Sequence, residues 1–197
     1  MTHSSTVLIV EDEKNLADLF GIWLQEQFEV HVAYSGEDAL EIFAEESIDI
    51  VLLDRRMPGL SGTEVLQSIR ESGDAQQVIM ITAVQPTEDL ASIDVDDYLL
   101  KPIDRTKLLR AVEAAELVLT YEDSLTELLS LTARKATLEA NLDKTELEKD
   151  ERYGGLLQRI RELEEEADTT LQRLETDYQI DMLVRDQRIG SQPVEQF

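Results

Sequence analysis

The stretch Asp49 to Gly59, DIVLLDRRMPG, contains the strongest fold signal in the chain. Its apolar residues Ile50 to Leu53 run without interruption into Asp54. Such a run is typical of a strand that is buried on both faces of a parallel sheet. Pro58 and Gly59 then predict a turn. Because carboxylates are seldom buried without a partner, Asp54 at the end of this strand marks a candidate site.

Short apolar runs of the same kind recur through the first 120 residues, with helically patterned segments between them. The other predicted strands are Val7–Val10, Val30–Ala33, Val78–Ile81 and Tyr98–Leu100. Strands that alternate with helices indicate βαβ units. The sequence therefore predicts an α/β fold, a doubly wound five-stranded parallel sheet with helices on both faces.

Capping residues support the predicted helix starts. Ser35-x-x-Asp38 and Ser61-x-x-Glu64 have the spacing of capping boxes, and Asp104 is placed to cap the last helix of this region. The fourth helix, around Thr87–Ser92, is short and weakly patterned.

From about Thr120 the strand signals stop and two helical stripes follow. Their members are Leu125, Leu128, Leu131, Leu138 and Leu142, and then Tyr153, Leu156, Ile160, Leu163, Ala167, Leu171, Leu174 and Tyr178. The second stripe is spaced like a heptad repeat with one extra step of four residues. We therefore predict an all-α region, either a helical hairpin or a coiled coil, whose first helix continues the last helix of the sheet region.

Two positions compete for the break between these helices. Asn141 to Thr145 contains poor helix formers, and Thr145-x-x-Glu148 can cap a new helix. Gly154–Gly155 is the rival. The first position is preferred, and a flexible tail is predicted for residues 181–197, where no stripe continues.

The composition excludes several classes of protein. The chain has 43 acidic and 18 basic residues, a net charge of −25 and no cysteine. It therefore has no disulfide, zinc–thiolate site or cysteine nucleophile, and no basic patch for nucleic acid. An acidic surface with a full apolar complement favours adaptation to high salt over an ordinary acidic cytosolic protein. No signal peptide or membrane helix is predicted, so the expected location is the cytoplasm.

Polar residues stand at the predicted strand ends. Glu11 and Asp12 follow the first strand, Asp54 the third, Thr82 the fourth and Lys101 the fifth. The carboxyl ends of parallel strands share one edge of the sheet, so these residues are expected to converge. Clustered carboxylates suit Mg²⁺, an aspartate can accept a phosphoryl group, and a lysine can neutralise phosphoryl oxygens.

The segments VLIVEDE, VLLDRRMPGLSG, MITAV and DDYLLKPI resemble, in this order, the receiver domain of two-component response regulators. The resemblance covers residues 5–118 and implies a flavodoxin-like fold. It implies that Asp54 is the phosphoacceptor, with Lys101 paired to the phosphoryl group. It also implies that Thr82 and Tyr98 are the switch residues.

The same resemblance implies a set of Mg²⁺ ligands. These are Glu11, Asp12, Asp54 and the backbone carbonyl of Arg56, with Asp12 as the direct ligand of the acidic pair.

The sequence departs from the usual receiver pattern at AVQPTEDLASIDVDDYLLKP, which is shorter than the usual fourth-helix region of receivers. The surface that carries the signal onward is therefore expected to differ from the common type.

Residues 119–180 resemble the HalX domain, a short helical region attached to receivers in haloarchaea. The expected function is a response regulator that is phosphorylated by a sensor histidine kinase and signals through its helices by changed assembly or partner binding. Homodimerisation through these helices is the simplest way to bury their stripes. No enzymatic turnover is expected beyond Mg²⁺-dependent self-phosphorylation and autodephosphorylation.

Two alternatives stay open. The helical region can bind DNA as part of a transcription regulator, although its mixed charges disfavour nucleic acid. The chain can also act as a stand-alone phosphate relay or sink in which the helices matter little. Deleting residues 121–197 tests the relay interpretation, and DNA shift assays at high salt test whether the helical region binds DNA.

Overall fold

A computed structural model of the chain describes residues 5–73, 76–83, 94–147 and 149–189, with side chains as far as residue 176. The chain divides into two compact units, Met1–Glu116 and Leu117–Phe197. We call them the sheet unit and the helical unit, and describe each by itself.

The sheet unit contains the five parallel strands that the apolar runs predict. They are β1 (Thr6–Val10), β2 (Glu29–Ala33), β3 (Ile50–Asp54), β4 (Gln77–Thr82) and β5 (Asp97–Leu100). Their order in the sheet is β2-β1-β3-β4-β5. The predicted doubly wound five-stranded sheet is thus confirmed, and each predicted strand lies within one residue of its observed bounds.

Helices connect the strands. The described helices of this unit are α1 (Lys14–Leu24), α2 (Gly36–Glu45), α3 (Gly62–Ser72) and the first part of α4 (Arg105–Asn141). The fourth helix predicted around Thr87–Ser92 lies outside the described residues. Helix α4 extends from the sheet unit into the helical unit, which confirms the predicted continuity.

The predicted caps are present at three helix starts. Ser35 accepts a hydrogen bond from the Asp38 N–H, and Ser61 and Glu64 form a complete capping box. Asp104 Oδ1 accepts a hydrogen bond from the Lys107 N–H at 2.9 Å. Each contact satisfies an N–H that has no partner inside the helix.

The core of the sheet unit lies on both faces of the sheet. Leu8, Val10, Val51, Leu53, Val78 and Met80 belong to one buried cluster, together with Val65, Leu66 and Ile69 of α3. The alternate strand residues Val7, Ile9, Ile50, Leu52, Ile79 and Ile81 are also buried. Since side chains alternate along a strand, burial of both sets means that both faces are covered, which holds the strand ends firmly in place.

The helical unit comprises the second part of α4, the short α5 (Lys144–Leu147) and α6 (Glu151–Ile189). The helix break therefore lies just after Asn141, as preferred, and Gly154 and Gly155 lie inside α6. The predicted cap at Thr145 is wrong. Asp143 caps α5 instead, because its Oδ1 accepts a hydrogen bond from the Thr145 N–H at 2.8 Å.

Helices α4 and α6 pack antiparallel as a hairpin within one chain. Arg159 of α6 donates two hydrogen bonds to Glu127 of α4, at 3.0 and 2.8 Å. Nearer the turn, the Tyr153 hydroxyl donates to Glu139 Oε1 at 2.6 Å. The stripes predicted either a helical hairpin or a coiled coil, and the structure contains the hairpin.

The stripe of α6 is nearly as predicted, with one change of register. Leu156, Ile160, Leu163 and Ala167 are buried. Thr170 is also buried, whereas Leu171 is 40% exposed. The buried positions therefore follow an unbroken heptad spacing, and the extra step that Leu171 suggested does not exist.

The described helices are each too polar or too short to cross a lipid bilayer.

Candidate functional site

The sheet topology brings three strand ends together. After β1 the chain moves to β2 on one side, and then to β3 on the other side of β1. In open parallel sheets, ligands bind at the carboxyl ends of the strands beside such a reversal. Val10 pairs with Leu53, and Thr82 pairs with Leu100. The next residues, Glu11, Asp54 and Lys101, therefore meet at one edge.

Lys101 bridges the two buried carboxylates. Its Nζ lies 2.7 Å from Glu11 Oε2 and 2.6 Å from Asp54 Oδ2. The side chain of Glu11 is 2% exposed and that of Asp54 is 10% exposed. Buried carboxylates at such close range repel each other, so the shared ammonium group is what allows both to occupy the site.

Burial and neighbouring charges shift the pKa values of this pair. Burial raises the pKa of Glu11 from 4.5 to about 7, although the hydrogen bond from Lys101 opposes this rise. For Lys101, burial acts to lower the pKa, but hydrogen bonds and charges from Asp54 and Glu11 outweigh it and raise the pKa above its ordinary value. Lys101 is therefore a permanent cation at neutral pH.

Three carboxylates at this edge form a candidate metal site. Glu11, Asp12 and Asp54 each offer an oxygen, and these oxygens lie within 4.8 Å of one another. Asp12 is exposed, so the cluster opens to solvent on one side. Oxygen donors that face a solvent-accessible space suit Mg²⁺, which keeps several of its waters. The residues present thus fit the predicted cofactor.

The loop after β3 fixes the orientation of Asp54. The Arg56 N–H donates to Asp54 Oδ1 at 3.1 Å, and the Arg55 N–H donates to the Ile81 carbonyl at 3.0 Å. Arg56 therefore lies beside the carboxylate, while its carbonyl as a metal ligand stays a prediction.

Gly62 also belongs to the site, although the sequence pattern did not indicate it. A Cβ atom at this position would lie 2.1 Å from the Asp54 carbonyl oxygen. The Gly62 N–H also donates to the Arg55 carbonyl at 3.2 Å. Its place at the end of VLLDRRMPGLSG was the available signal, but a glycine in a turn region does not reveal which backbone it must approach.

Thr82 and Tyr98 lie on the neighbouring strands. Thr82 ends β4, is 2% exposed, and accepts the Lys101 N–H at its carbonyl at 2.8 Å. Tyr98 is half-buried against the core cluster. Burial raises the pKa of its hydroxyl, and the nearby charge of Arg55 opposes that rise. Both residues lie where the sequence predicted, and their switch roles stay predictions.

The fold and this edge of the sheet agree with known families. The family model described as response regulator receiver domain matches residues 7–113, which is more than half of the chain. The chain belongs to the response regulators of two-component systems. A second family model, described as HalX domain, matches residues 117–185.

Individual relatives agree with the receiver assignment. A protein of Haloferax volcanii named "Putative transcriptional regulator" is 36% identical over 180 residues, which are 91% of this chain and 30% of that protein. Response regulator ArlR of Staphylococcus saprophyticus is 38% identical over 112 residues, which are 55% of this chain and 50% of ArlR. The chain thus spans half or less of the length of these relatives.

Solved structures support the same fold. Response regulator TrrA of Thermotoga maritima, crystallised in complex with Mg²⁺ and a beryllium fluoride, is 36% identical to this response regulator. It covers 55% of this chain and 96% of its own, with a TM-score of 0.51.

Proposed function

We propose that this response regulator accepts a phosphoryl group on Asp54 from a phosphohistidine of a sensor kinase and passes the signal on through its helical unit. The observation that carries the proposal is the bridging of Glu11 and Asp54 by Lys101 at 2.7 and 2.6 Å. An ammonium group beside a buried carboxylate is the partner that an added phosphoryl group needs.

The proposed transfer is a nucleophilic displacement at phosphorus. A carboxylate oxygen of Asp54 attacks the phosphorus atom, an O–P bond forms, and the P–N bond to the kinase histidine breaks. The electron pair of the P–N bond stays on the imidazole nitrogen of the kinase. The Arg56 N–H, 3.1 Å from Asp54 Oδ1, holds the carboxylate plane during the attack.

Mg²⁺ is the proposed cofactor, held by Glu11, Asp12, Asp54 and the Arg56 carbonyl. When bound, it neutralises charge on the transferring phosphoryl oxygens. Thr82 and Tyr98 are the proposed switch residues that rearrange after transfer. The chemistry is directed at the chain itself, as phosphorylation and later hydrolysis, and the protein turns over no metabolite.

Intact-mass spectrometry after incubation with a small phosphodonor and Mg²⁺ tests the proposal. We expect one phosphoryl group on the wild-type chain and none on Asp54→Asn. Asp123→Asn, which removes an exposed carboxylate of the helical unit, is the matched control and is expected to be phosphorylated normally. Phosphorylation of Asp54→Asn to the wild-type level would rule out Asp54 as the acceptor.

Output through the helical unit is proposed to occur by a change of assembly or partner. A second candidate is transcriptional control, which is supported by the name of the Haloferax volcanii relative. The described surface of α6 opposes it, because exposed Glu162, Glu164 and Glu165 repel a phosphate backbone. A DNA shift assay in molar salt, with phosphorylated and unphosphorylated chain, separates the two: only DNA binding supports the second candidate.

A further inference from the structure

A lysine lies in an unfavourable position beside the carboxylates of the site. Lys14 is the first residue of α1 and follows Asp12 by two positions. The amino end of a helix carries partial positive charge, so a cation is disfavoured there, and the first turn of α1 contains no acidic residue. A residue that breaks a local rule next to a functional site is a candidate for a role in that site.

Tyr34 holds the ammonium group of this lysine. Lys14 Nζ lies over the Tyr34 ring, 5.2 Å from its centre, which is within the range of a cation–π contact. The Tyr34 hydroxyl donates a hydrogen bond to Asp18 Oδ1 at 2.7 Å, and Asp18 lies one turn after Lys14 on the same helix. Helix α1 thus contacts Tyr34 at both its ring and its hydroxyl, which fixes the ring beside the ammonium group.

The backbone places Tyr34 at the same edge of the sheet as the site. Tyr34 follows β2, whose last residue Ala33 accepts the Glu11 N–H at its carbonyl at 3.1 Å. In the sheet, β2 lies on the side of β1 that is opposite to β3, the strand that ends in Asp54. The contact with Tyr34 therefore keeps the Lys14 ammonium group on the β2 side of the site.

A competing partner lies within reach of Lys14. Asp12 and Lys14 are both exposed and are separated by a single residue. The lysine side chain is long and flexible, so its ammonium group can reach a carboxylate at that separation. Cation–π contacts and ion pairs between exposed groups are similarly weak. The structure contains the ring contact, and among the residues that it describes Lys14 forms no ion pair.

An ammonium group paired with Asp12 would compete with a metal ion. Glu11, Asp12 and Asp54 each offer one oxygen to the candidate metal site. If Lys14 occupied the Asp12 oxygen, a divalent cation could bind there only after the ion pair had broken, and the displaced positive charge would remain close to it. Held by Tyr34 instead, Lys14 leaves the Asp12 oxygen available.

We infer that Tyr34 is a positioning residue, which holds Lys14 away from Asp12 and so keeps the carboxylate cluster available to a divalent cation. The inference rests on the proposed function, in which Mg²⁺ is the cofactor of this cluster. It adds a residue outside the cluster that sets the affinity for the metal, and hence the Mg²⁺ concentration at which Asp54 is phosphorylated.

Calorimetric titration with MgCl2 alone, at one KCl concentration for all proteins, tests the inference. Tyr34→Ala releases Lys14, so the Kd for Mg²⁺ is expected to rise about two- to sixfold, which corresponds to the strength of an exposed ion pair. Adding Lys14→Gln to Tyr34→Ala is expected to restore at least the wild-type affinity, because the competing ammonium group is gone. Adding Lys149→Gln instead, which removes an exposed cation of the helical unit, is the matched control and is expected to restore nothing.

Two further measurements separate the lysine contact from a general disturbance of the fold. Tyr34→Leu fills much of the same space without an aromatic ring, and is expected to weaken Mg²⁺ binding as Tyr34→Ala does, with unchanged circular dichroism. By NMR, the side-chain protons of Lys14 are expected to be shifted upfield by the ring in wild type and to return to ordinary positions in both variants. Unchanged Mg²⁺ affinity in both variants overturns the inference, as does a loss of affinity that Lys14→Gln does not restore.

Phosphorylation of the same proteins keeps this test distinct from the proposed function. If Asp54 is phosphorylated but wild type and Tyr34→Ala bind Mg²⁺ equally well, only the role of Tyr34 is wrong. If Tyr34 governs Mg²⁺ affinity in a chain that accepts no phosphoryl group, the positioning role stands and the proposed function fails. A wild-type chain that binds no Mg²⁺ overturns both.

Discussion

At the scale of single residues, the site depends on charge balance in a buried position. Glu11 and Asp54 are tolerated at the sheet edge because Lys101 contacts both. The sequence predicted their convergence, since strand ends of a parallel sheet share an edge. It did not predict that Lys101 also binds Glu11, because side-chain contacts between strands depend on rotamers that no spacing rule specifies.

The raised pKa of Glu11 predicts a pH dependence of stability in Mg²⁺-free buffer. Its pKa is about 7 in the folded chain, against an ordinary value of 4.5. The folded state thus holds the proton more tightly, and ionisation of the unfolded state lowers the free energy of unfolding as pH rises from 4.5 to 7. The loss is at most about 1.4 kcal/mol per pH unit for one group.

Denaturant unfolding at several pH values, with chelator present, measures this loss. In Glu11→Gln the contribution of this group is absent, so the slope of stability against pH between 4.5 and 7 is expected to be less negative than in wild type. If stability fell equally steeply with pH in wild type and Glu11→Gln, the raised pKa of Glu11 would be contradicted.

Gly62 gives a steric prediction. In Gly62→Ala the new methyl group would lie 2.1 Å from the Asp54 carbonyl, so the loop must shift. We expect a loss of about 1–3 kcal/mol in the free energy of unfolding, together with slower phosphorylation. Gly21→Ala is the control in the same unit, because its methyl group meets Val32 at an ordinary 3.5 Å. Denaturant unfolding would refute the steric argument if both variants were equally stable.

At the scale of elements, local rules predicted more of the structure than the apolar pattern alone. The Ser61 and Glu64 capping box is present as its spacing predicts. The buried stripe of α6 was predicted less well. The sequence has Thr170 and Leu171 side by side, and Leu171 was predicted to be buried because it is the more apolar of the two. The geometry of the hairpin decides against it, since only Thr170 lies in heptad register with Leu163 and Ala167.

Two alanine substitutions test this register. Leu163 is 1% exposed and Leu171 is 40% exposed. We expect Leu163→Ala to reduce the free energy of unfolding of the helical unit by about 2–5 kcal/mol, and Leu171→Ala to reduce it by well under 1 kcal/mol. Thermal unfolding followed by circular dichroism measures both. A larger loss for Leu171→Ala would restore the register that the sequence suggested.

At the scale of the whole molecule, charge is the dominant feature. A net charge of −25 on 197 residues means mutual repulsion of carboxylates across the surface. The composition revealed this repulsion directly. It did not reveal which carboxylates of the helical unit face solvent, such as the exposed Glu162, Glu164 and Glu165 of α6, because that depends on how α4 and α6 pack against each other.

The charge predicts a strong dependence of stability on salt. The Debye length falls from about 10 Å at 0.1 M to about 3 Å at 1 M salt. The midpoint of thermal unfolding is therefore expected to rise steadily with KCl concentration at neutral pH. At a pH near 4.5, where many carboxylates are protonated, the rise is expected to be smaller. A midpoint that is independent of salt, or equally dependent at both pH values, would argue against charge repulsion.

The most direct measurement is to locate the transferred phosphoryl group after reaction with a phosphorylated sensor kinase and Mg²⁺. Borohydride reduces an aspartyl phosphate to homoserine, which peptide mass spectrometry then assigns to one position. We predict homoserine at position 54 alone, and none when Mg²⁺ is chelated or Lys101 is replaced by alanine. Homoserine at another aspartate, or a phosphoryl group on a different residue type, would contradict the account.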